Sequence, residues 1–343
     1  MKTLLILLLS IVAGFGTVFT LLQITDLPNR ESNGFNRRII RESTTLLASF
    51  EEPTLRRIVG HYGGKLYFST NDPHKLITTN FDLSNRREIV LAPIDSAEQP
   101  TGNLFTYNVD TTGITLLSNM RKTAFHYPHD PACRPHRYRV STTFIKGVAL
   151  SGHSAIFLKQ SDRSDSLLLY KSGTFSQSVQ GPPVMGSGRF ADGHLRYSRE
   201  TATIAYVHLY HNQVLILDTN LNLRHTFRTI DTLSYRGNRR KLENNPPQVT
   251  NLRSFTAGSL LFICSALKAD NEPRALYAAH IPVDIYYITT GEYYFTFYLP
   301  LYGNKLVKSL HALPGNRLVV LYHGNHAAVY HISLPPINKK RMP

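Results

Sequence analysis

The sequence predicts an all-β fold, a six-bladed β-propeller preceded by one N-terminal transmembrane or signal helix. Short runs of alternating apolar and polar residues, separated by turn residues, fill the chain after residue 50, and this pattern is typical of strands. No long stretch has the 3.6-residue periodicity of an amphipathic helix. A hairpin pattern also recurs roughly every 45 residues, which is the length of a four-stranded propeller blade.

The N-terminal segment, residues 1–25, is predicted to be a signal-anchor. The stretch Leu4–Ile24 carries no charge and is long enough to cross a bilayer as a helix. Cleavage after Gly14 would leave the apolar run Phe15–Ile24 on the mature chain. An uncleaved anchor is therefore favoured over a cleaved signal peptide. The stretch contains no cysteine, which excludes a lipoprotein anchor.

The export-like start of the chain predicts where the domain lies. We expect the domain in the bacterial periplasm, anchored to the inner membrane, or secreted if the signal is cleaved. The charge pattern argues the other way, because only Lys2 precedes the apolar stretch and four arginines follow it. The positive-inside rule would place those arginines in the cytoplasm. They are Arg30, Arg37, Arg38 and Arg41.

Composition divides the remaining chain into three parts. Residues 26–50 are polar and charged and are predicted to be a linker. Residues 51–334 form the predicted propeller. Residues 335–343 form a short basic tail.

Two hairpins, residues 75–91 and 213–227, show the repeat most clearly. Each has an apolar strand that ends in an aspartate, Asp82 or Asp218, then a turn with asparagine and a return strand. Similar hairpins centre near Asn119, Lys171, Thr290 and His331. Strands predicted to lie further in cover residues 65–69, 154–158, 202–206, 259–263 and 317–321. Because one blade cannot bury both of its faces alone, we expect the blades to stack in a ring.

The charge balance predicts the class of partner. The chain has 38 Lys and Arg against 23 Asp and Glu, a formal charge of +15, and such a charge attracts anionic molecules. We expect an anionic ligand, an envelope polymer or a protein partner, and contact with the membrane through the N-terminal segment. Nucleic acid is disfavoured because it conflicts with export.

One segment contains several side chains of the types that bind metal. Imidazole, thiolate and carboxylate groups are ligands of zinc, and they occur together at His126, His129, Asp130, Cys133 and His136. The alternative is a polar loop between blades with exposed histidines, which the neighbouring arginines favour. No specific cofactor is predicted.

A second segment, residues 235–245, is the predicted contact for a ligand or partner. It combines aromatic, guanidinium and amide groups, and arginine binds phosphate or carboxylate bidentately. The alternative is a solvated surface insertion. The candidate binding residues are Tyr235, Arg236, Arg239, Arg240, Asn244 and Asn245.

The two cysteines, Cys133 and Cys264, have no metal-binding spacing. They would form a disulfide only in an oxidising compartment and only if their Cα atoms lie within about 7 Å. Cys264 ends the apolar run Leu260–Cys264. The preferred interpretation of Cys264 is therefore a small buried hydrophobic residue.

The pattern resembles the six-bladed propeller superfamily in the broad TolB-like or NHL-like sense, and in particular uncharacterised exported propeller-like proteins of bacteria. The resemblance is carried by residues 192–197, Tyr206, Asp218, Asn220, residues 230–232, 265–272 and 293–300. It implies a fold over about residues 51–334 and leaves function open, since propellers host many functions.

Two functions remain open from the sequence. The first is a non-catalytic ligand- or protein-binding propeller on the outer side of the inner membrane. The second is a propeller-type hydrolase or lyase with a polar or metal site in the channel. No catalytic residue is identified, so the sequence leaves open whether the protein is an enzyme.

Overall fold

The computed structural model describes residues 2–25, 33–40, 43–91, 105–118, 122–130, 134–140, 143–151, 154–160, 167–173, 177–184, 192–232 and 248–335. The chain begins with helix α1 (Lys2–Thr25). No helix in these ranges is long and apolar enough to cross a membrane, and the anchor over residues 1–25 stays a prediction. A short helix α2 (Arg274–Ala279) lies late in the chain.

The described strands form six four-stranded antiparallel sheets. After β1 (Thr44–Glu51), sheet 1 contains β2 (Leu55–Tyr62), β3 (Lys65–Thr70), β4 (Lys75–Asn80) and β5 (Arg87–Val90). Sheet 2 contains β6 (Phe105–Val109), β7 (Gly113–Ser118), β8 (Thr123–Pro128) and β9 (His136–Arg139). Sheet 3 contains β10 (Lys146–Ser151), β11 (Ser154–Gln160), β12 (Leu167–Gly173) and β13 (Gln177–Val184).

The remaining sheets follow the same plan. Sheet 4 contains β14 (Gly193–Ser198), β15 (Thr203–His208), β16 (Gln213–Asp218) and β17 (Leu223–Arg228). Sheet 5 contains β18 (Asn251–Ala257), β19 (Leu260–Ser265), β20 (His280–Tyr287) and β21 (Tyr293–Pro300). Sheet 6 contains β22 (Val307–Leu313), β23 (Arg317–Tyr322) and β24 (His326–Ile332), and β1 completes it beside β24.

The first strands of the six sheets contact one another in a closed ring. In order around the ring they are β2, β6, β10, β14, β18 and β22, and β22 contacts β2 again. The protein is therefore an all-β propeller. Strand β1 closes the ring by pairing with β24, from Thr44 opposite Ile332 to Glu51 opposite His326. This pairing gives sheet 6 its fourth strand and joins the start of the domain to its end.

The hydrophobic core is divided among the spaces between sheets. Each of six apolar clusters joins residues of two neighbouring sheets. Between sheets 4 and 5, for example, Val207 and Ile216 pack with Leu261 and Ile263. Second strands such as β15 and β19 are buried along their whole length. They are apolar on both faces because each sheet is covered on both sides.

The hairpin turns show that the predicted repeat is two residues out of register. The amide of Asn80 bonds to the carbonyl of Ser84, and the amide of Asp218 bonds in the same way to the carbonyl of Asn222. Asp218 therefore corresponds to Asn80 and not to Asp82. The Asp218 carboxylate accepts the backbone amides of Asn220 and Asn222, which is the local use expected of aspartate in a turn.

The predicted linker over residues 26–50 is wrong for its described part. Strand β1 begins at Thr44 and belongs to sheet 6. Residues 33–40 pack against sheet 5, where Phe35 is buried beside Leu267 and the Ile40 amide bonds to the carbonyl of Thr296. Polar composition suggested a linker, but here the polar groups bond to the domain.

A buried ion cluster fastens this N-terminal segment. The Arg37 guanidinium donates from Nε to Asp284 Oδ1 and from Nη1 to Glu272 Oε2, each at 2.8 Å. The Arg37 and Glu272 side chains are fully buried. Burial lowers the pKa of Arg37, but Asp284 and Glu272 outweigh that effect and raise the pKa above its ordinary value. Tyr298 donates a hydrogen bond to Glu272, which satisfies a second carboxylate oxygen.

Candidate functional site: the central channel

The centre of the ring is an open channel with a volume of about 1130 Å³. Its walls come from the first strands of all six sheets. These strands are less apolar than the second strands, because they form the inner edge of each sheet, beside the channel. A cleft of this kind is the usual place for a ligand site in a repeat fold.

The described channel wall is strongly basic. Seven Lys and Arg side chains line it against two Asp and Glu side chains. The basic residues are Arg56, Arg57, Lys146, Arg196, Arg199, Arg253 and Lys308, and the acidic residues are Asp110 and Glu200. Cations within a low-dielectric cleft attract anions more strongly than the same charges on a convex surface.

Four of these cations lie on four successive first strands. We call Arg57 (β2), Arg196 (β14), Arg253 (β18) and Lys308 (β22) the cationic arc. None of the four forms an ion pair with a carboxylate among the described residues. Two other channel cations do, since Lys146 pairs with Asp192 and Arg199 lies 3.5 Å from Asp110.

Three arc side chains are held by backbone carbonyls of the next strand around the ring. Arg196 Nε donates to the carbonyl of Ser254 at 2.5 Å. Arg253 Nε donates to the carbonyl of Lys308 at 2.9 Å, and Lys308 Nζ donates to the carbonyl of Leu55 at 3.1 Å. Carbonyls orient these cations but carry no net charge, so the positive charge of the arc remains uncompensated.

The arc cations lie close enough together to lower one another's pKa values. Burial, followed by the charges of Arg253 and Arg57, lowers the pKa of Arg196 to about 10. Burial also lowers the pKa of Lys308, with further contributions from Arg56 and Arg57. Like charges and desolvation both disfavour the charged form. A bound anion would offset both effects, because an opposite charge favours the charged form.

A pair of histidines, His61 and His311, also lines the channel. His61 Nδ1 lies 2.8 Å from His311 Nε2, so one ring donates a hydrogen bond to the other. Burial, then the charges of His61 and Arg196, lowers the pKa of His311 to about 3. Burial also lowers the pKa of His61, although Glu200 opposes the shift. The pair is therefore uncharged at neutral pH and offers polar contacts without charge.

The residues predicted to bind metal are only partly brought together. His126 is buried with Nδ1 3.1 Å from Thr115 Oγ1, while His129 Nε2 bonds to the carbonyl of Asp110 at 2.7 Å. Asp130 and His136 are exposed, and Cys133 lies outside the described residues. The described part of the chain contains no group of three His, Cys, Asp or Glu side chains placed to hold a metal ion. The metal site stays a prediction.

The predicted binding loop lies outside the described residues. This applies to Tyr235, Arg236, Arg239, Arg240, Asn244 and Asn245. Cys264 is described, and it is free and fully buried as expected. Burial raises the pKa of its thiol to about 12, which makes this thiol unreactive.

The sequence did not identify the arc. Arg57 belongs to none of the predicted sites, and Arg196 lies within residues 192–197, which were noted only for their resemblance. A usable signal was present: a basic residue in the strand before each of several apolar second strands, as in Arg253 before residues 260–265. The six first strands were not assigned, so this repetition was missed.

Comparisons with known proteins show the fold and nothing finer. No family model matches the chain, and no curated protein matches it. A member of the DUF4221 family from Bacteroides vulgatus is similar in structure, with TM-score 0.57 and 10% identity over 86% of this chain and 99% of that chain. A catalytically inactive virginiamycin B lyase from Staphylococcus aureus with quinupristin has TM-score 0.51 and 7% identity over 84% of this chain and 100% of that chain. At these identities the similarity supports the β-propeller fold alone.

Proposed function

We propose that this propeller is a non-catalytic binding domain that takes an anionic ligand into its central channel. One observation carries the proposal: seven Lys and Arg side chains face two Asp and Glu side chains around the described channel wall. The cations of the arc have no carboxylate partner among the described residues. Desolvated charges without partners destabilise a fold, and a bound anion would offset that cost.

The proposal is tested by measuring the binding of inorganic phosphate and sulfate by calorimetry. We expect binding to the wild type that weakens between about 0.05 and 0.2 M NaCl, because salt screens the charges. The double variant Arg196→Gln with Arg253→Gln should lose this binding. The matched control is Arg224→Gln with Arg228→Gln, which removes two positive charges from exposed positions on the outermost strand β17.

Two outcomes would contradict the proposal. One is the absence of any anion binding by the folded wild type. The other is equal binding by the channel double variant and the control double variant, which would show that the anions bind elsewhere. The predicted loop over residues 235–245 would then be the next candidate, and Arg239→Ala with Arg240→Ala would test it.

We also propose that the chain is a six-bladed propeller of the TolB-like or NHL-like type on the outer side of the inner membrane. The six described sheets and the closure by β1 support the blade number. The uncharged stretch Leu4–Ile24 supports the location. Protease accessibility of the domain in spheroplasts tests the location, and protection from protease there would contradict it.

An acidic protein segment and an envelope polymer are the other occupants that the charge would suit. The alternative function, a hydrolase or lyase with its site in the channel, has no specific observation in its favour among the described residues.

A further inference from the structure

We infer that the ligand of the channel is a small molecule with one oxyanion group, a phosphate, sulfate or carboxylate, on an otherwise uncharged body. The oxyanion binds the cationic arc, and the uncharged body lies against the rest of the wall. This inference rests on the proposed function and goes further, because it names the ligand class and its orientation.

The first argument is that the free positive charge lies on one side of the channel. The arc occupies β14, β18, β22 and β2, which are successive around the ring. The facing strands β6 and β10 present uncharged side chains such as Thr106, Asn108 and Val148. The cation on β10, Lys146, is paired with Asp192. A ligand with a single charged group at one end fits such a wall better than a ligand with charged groups over its whole surface.

The second argument is that the arc retains unused hydrogen-bond donors. The hydrogen bonds of Arg196 come from Nε and Nη1, which donate to the carbonyls of Ser254 and Leu195. Those of Arg253 also come from Nε and Nη1. The Nη2 group of each arginine has no partner among the described residues. Two guanidinium groups that are held through Nε and Nη1 and are free at Nη2 are well suited to bind an oxyanion.

Lys308 supplies a further donor from the neighbouring strand β22. Its Nζ donates to the carbonyl of Leu55 and to Asn325 Oδ1, at 3.1 and 3.0 Å. An ammonium group has three protons, so one proton remains for a ligand. The three side chains are fixed by these backbone and amide contacts before any ligand arrives. Preorganised donors bind an anion without the cost of ordering flexible side chains.

The third argument concerns the uncharged remainder of the wall. The His61–His311 pair adjoins the arc, since the charge of Arg196 acts on His311. Ile58 and Leu310, which are only partly buried, also line the channel. These groups offer apolar contact and neutral hydrogen bonds to the body of the ligand. The volume of about 1130 Å³ lies just above the usual range of about 300–1,000 Å³ for small-molecule sites, so the channel has room for such a ligand.

A linear polyanion threaded through the channel fits the structure less well. It would need positive charge along the whole channel. Beyond the arc, Arg199 is paired with Asp110 at 3.5 Å, and Glu200 adds a negative charge to the same lining. A repeating acidic polymer would bring its next charges against these carboxylates.

The test compares five probes by calorimetry with the full chain: inorganic phosphate, phenyl phosphate, benzoate, phenol and long-chain polyphosphate. We expect phenyl phosphate or benzoate to bind at least about tenfold more tightly than inorganic phosphate, and phenol to show no binding. Comparing phenyl phosphate with benzoate distinguishes a phosphate from a carboxylate head group. Arg253→Gln should weaken binding of the preferred probe about 10- to 100-fold, and Arg228→Gln should leave it unchanged.

Arg253→Lys provides a second variant in which the positive charge is kept. It should recover less than the full affinity, because lysine lacks the planar fork. If either arc variant fails to fold, competition between the preferred probe and inorganic phosphate on the wild type decides whether they share one site. The absence of competition would overturn the inference.

The failure of this inference differs from the failure of the proposed function. Suppose that polyphosphate binds more tightly than the aromatic probes, or that the phenyl group adds no affinity. The inference of a ligand with a single oxyanion group is then wrong, while the proposal of anion binding in the channel stands. If no anionic probe binds at all, both are wrong.

Discussion

The buried ion cluster of Arg37 makes a strong prediction about stability. In Arg37→Met the side chain keeps much of its volume, but the carboxylates of Glu272 and Asp284 lose their cation. Both are buried, with side-chain exposures of 0% and 5%. Removing one partner from a buried ion pair costs about 3–5 kcal/mol. We expect the free energy of unfolding to fall by this amount.

The assay is urea unfolding followed by circular dichroism. With a slope of about 3 kcal/mol per molar urea, the midpoint should fall by about 1 M or more while the slope stays unchanged. The control is Arg38→Ala, an exposed neighbour whose side chain lies over the Tyr293 ring. The free energy of unfolding of Arg38→Ala should fall by less than about 1 kcal/mol, as is typical when an exposed charge contact is removed.

The pH dependence of the same variant adds a second test. In Arg37→Met the buried negative charge of Glu272 and Asp284 has no cation beside it, and acid removes negative charge. The difference in unfolding free energy between the wild type and Arg37→Met should therefore narrow as the pH falls. A loss below about 1 kcal/mol at neutral pH would refute the argument, because it would mean that the cluster does not hold residues 33–40.

Three further predictions concern the core. In a Cys133→Ser variant, Cys264 should not react with Ellman's reagent until the protein is denatured, and rapid reaction of the native protein would contradict its burial. Gly193→Ala should lower the unfolding free energy by about 1–3 kcal/mol, because a Cβ atom there would lie 2.5 Å from the Val207 carbonyl oxygen and 2.7 Å from the Tyr206 ring; a urea midpoint equal to that of the wild type would show that the strand has room. Burial, then the charge of His211, lowers the pKa of His208 to about 2, below the unfolded value of about 6.5, so stability should fall by about 1 kcal/mol per pH unit on acidification below pH 6.5. Melting temperatures of the wild type and His208→Gln across pH 4 to 7 measure this effect, and parallel curves would count against it.

The sequence indicated some of the outer hairpins. The predicted hairpins at residues 75–91 and 213–227 are β4–β5 and β16–β17, and the one near Thr290 is β20–β21. The centres predicted near Lys171 and His331 are wrong, because these residues lie within β12 and β24. The strands predicted to lie further in are the second strands, such as β15 and β19. These strands are apolar and short, and their turns require Asn or Asp, so local pattern is sufficient to find them. The two-residue offset between Asp82 and Asp218 arose because either turn offers more than one polar residue to align.

The site was not accessible to the same reasoning. Arg57 and Arg253 are 196 positions apart in the sequence, and nothing in the spacing shows that they share one channel. The first strands show little alternation of apolar and polar residues. Strand β2, for example, contains two arginines, a glycine and a histidine among its eight residues. Arg37 looked like one charge of a polar linker, and its two carboxylate partners lie more than 230 residues away.

The local sequence thus determined the strands and turns, because side-chain alternation and turn chemistry act over a few residues. Only the tertiary structure decided that β1 pairs with β24, that residues 33–40 belong to the domain, and that four distant cations meet in the channel. Those contacts depend on closure of the ring, and closure is set by the packing of whole sheets against each other.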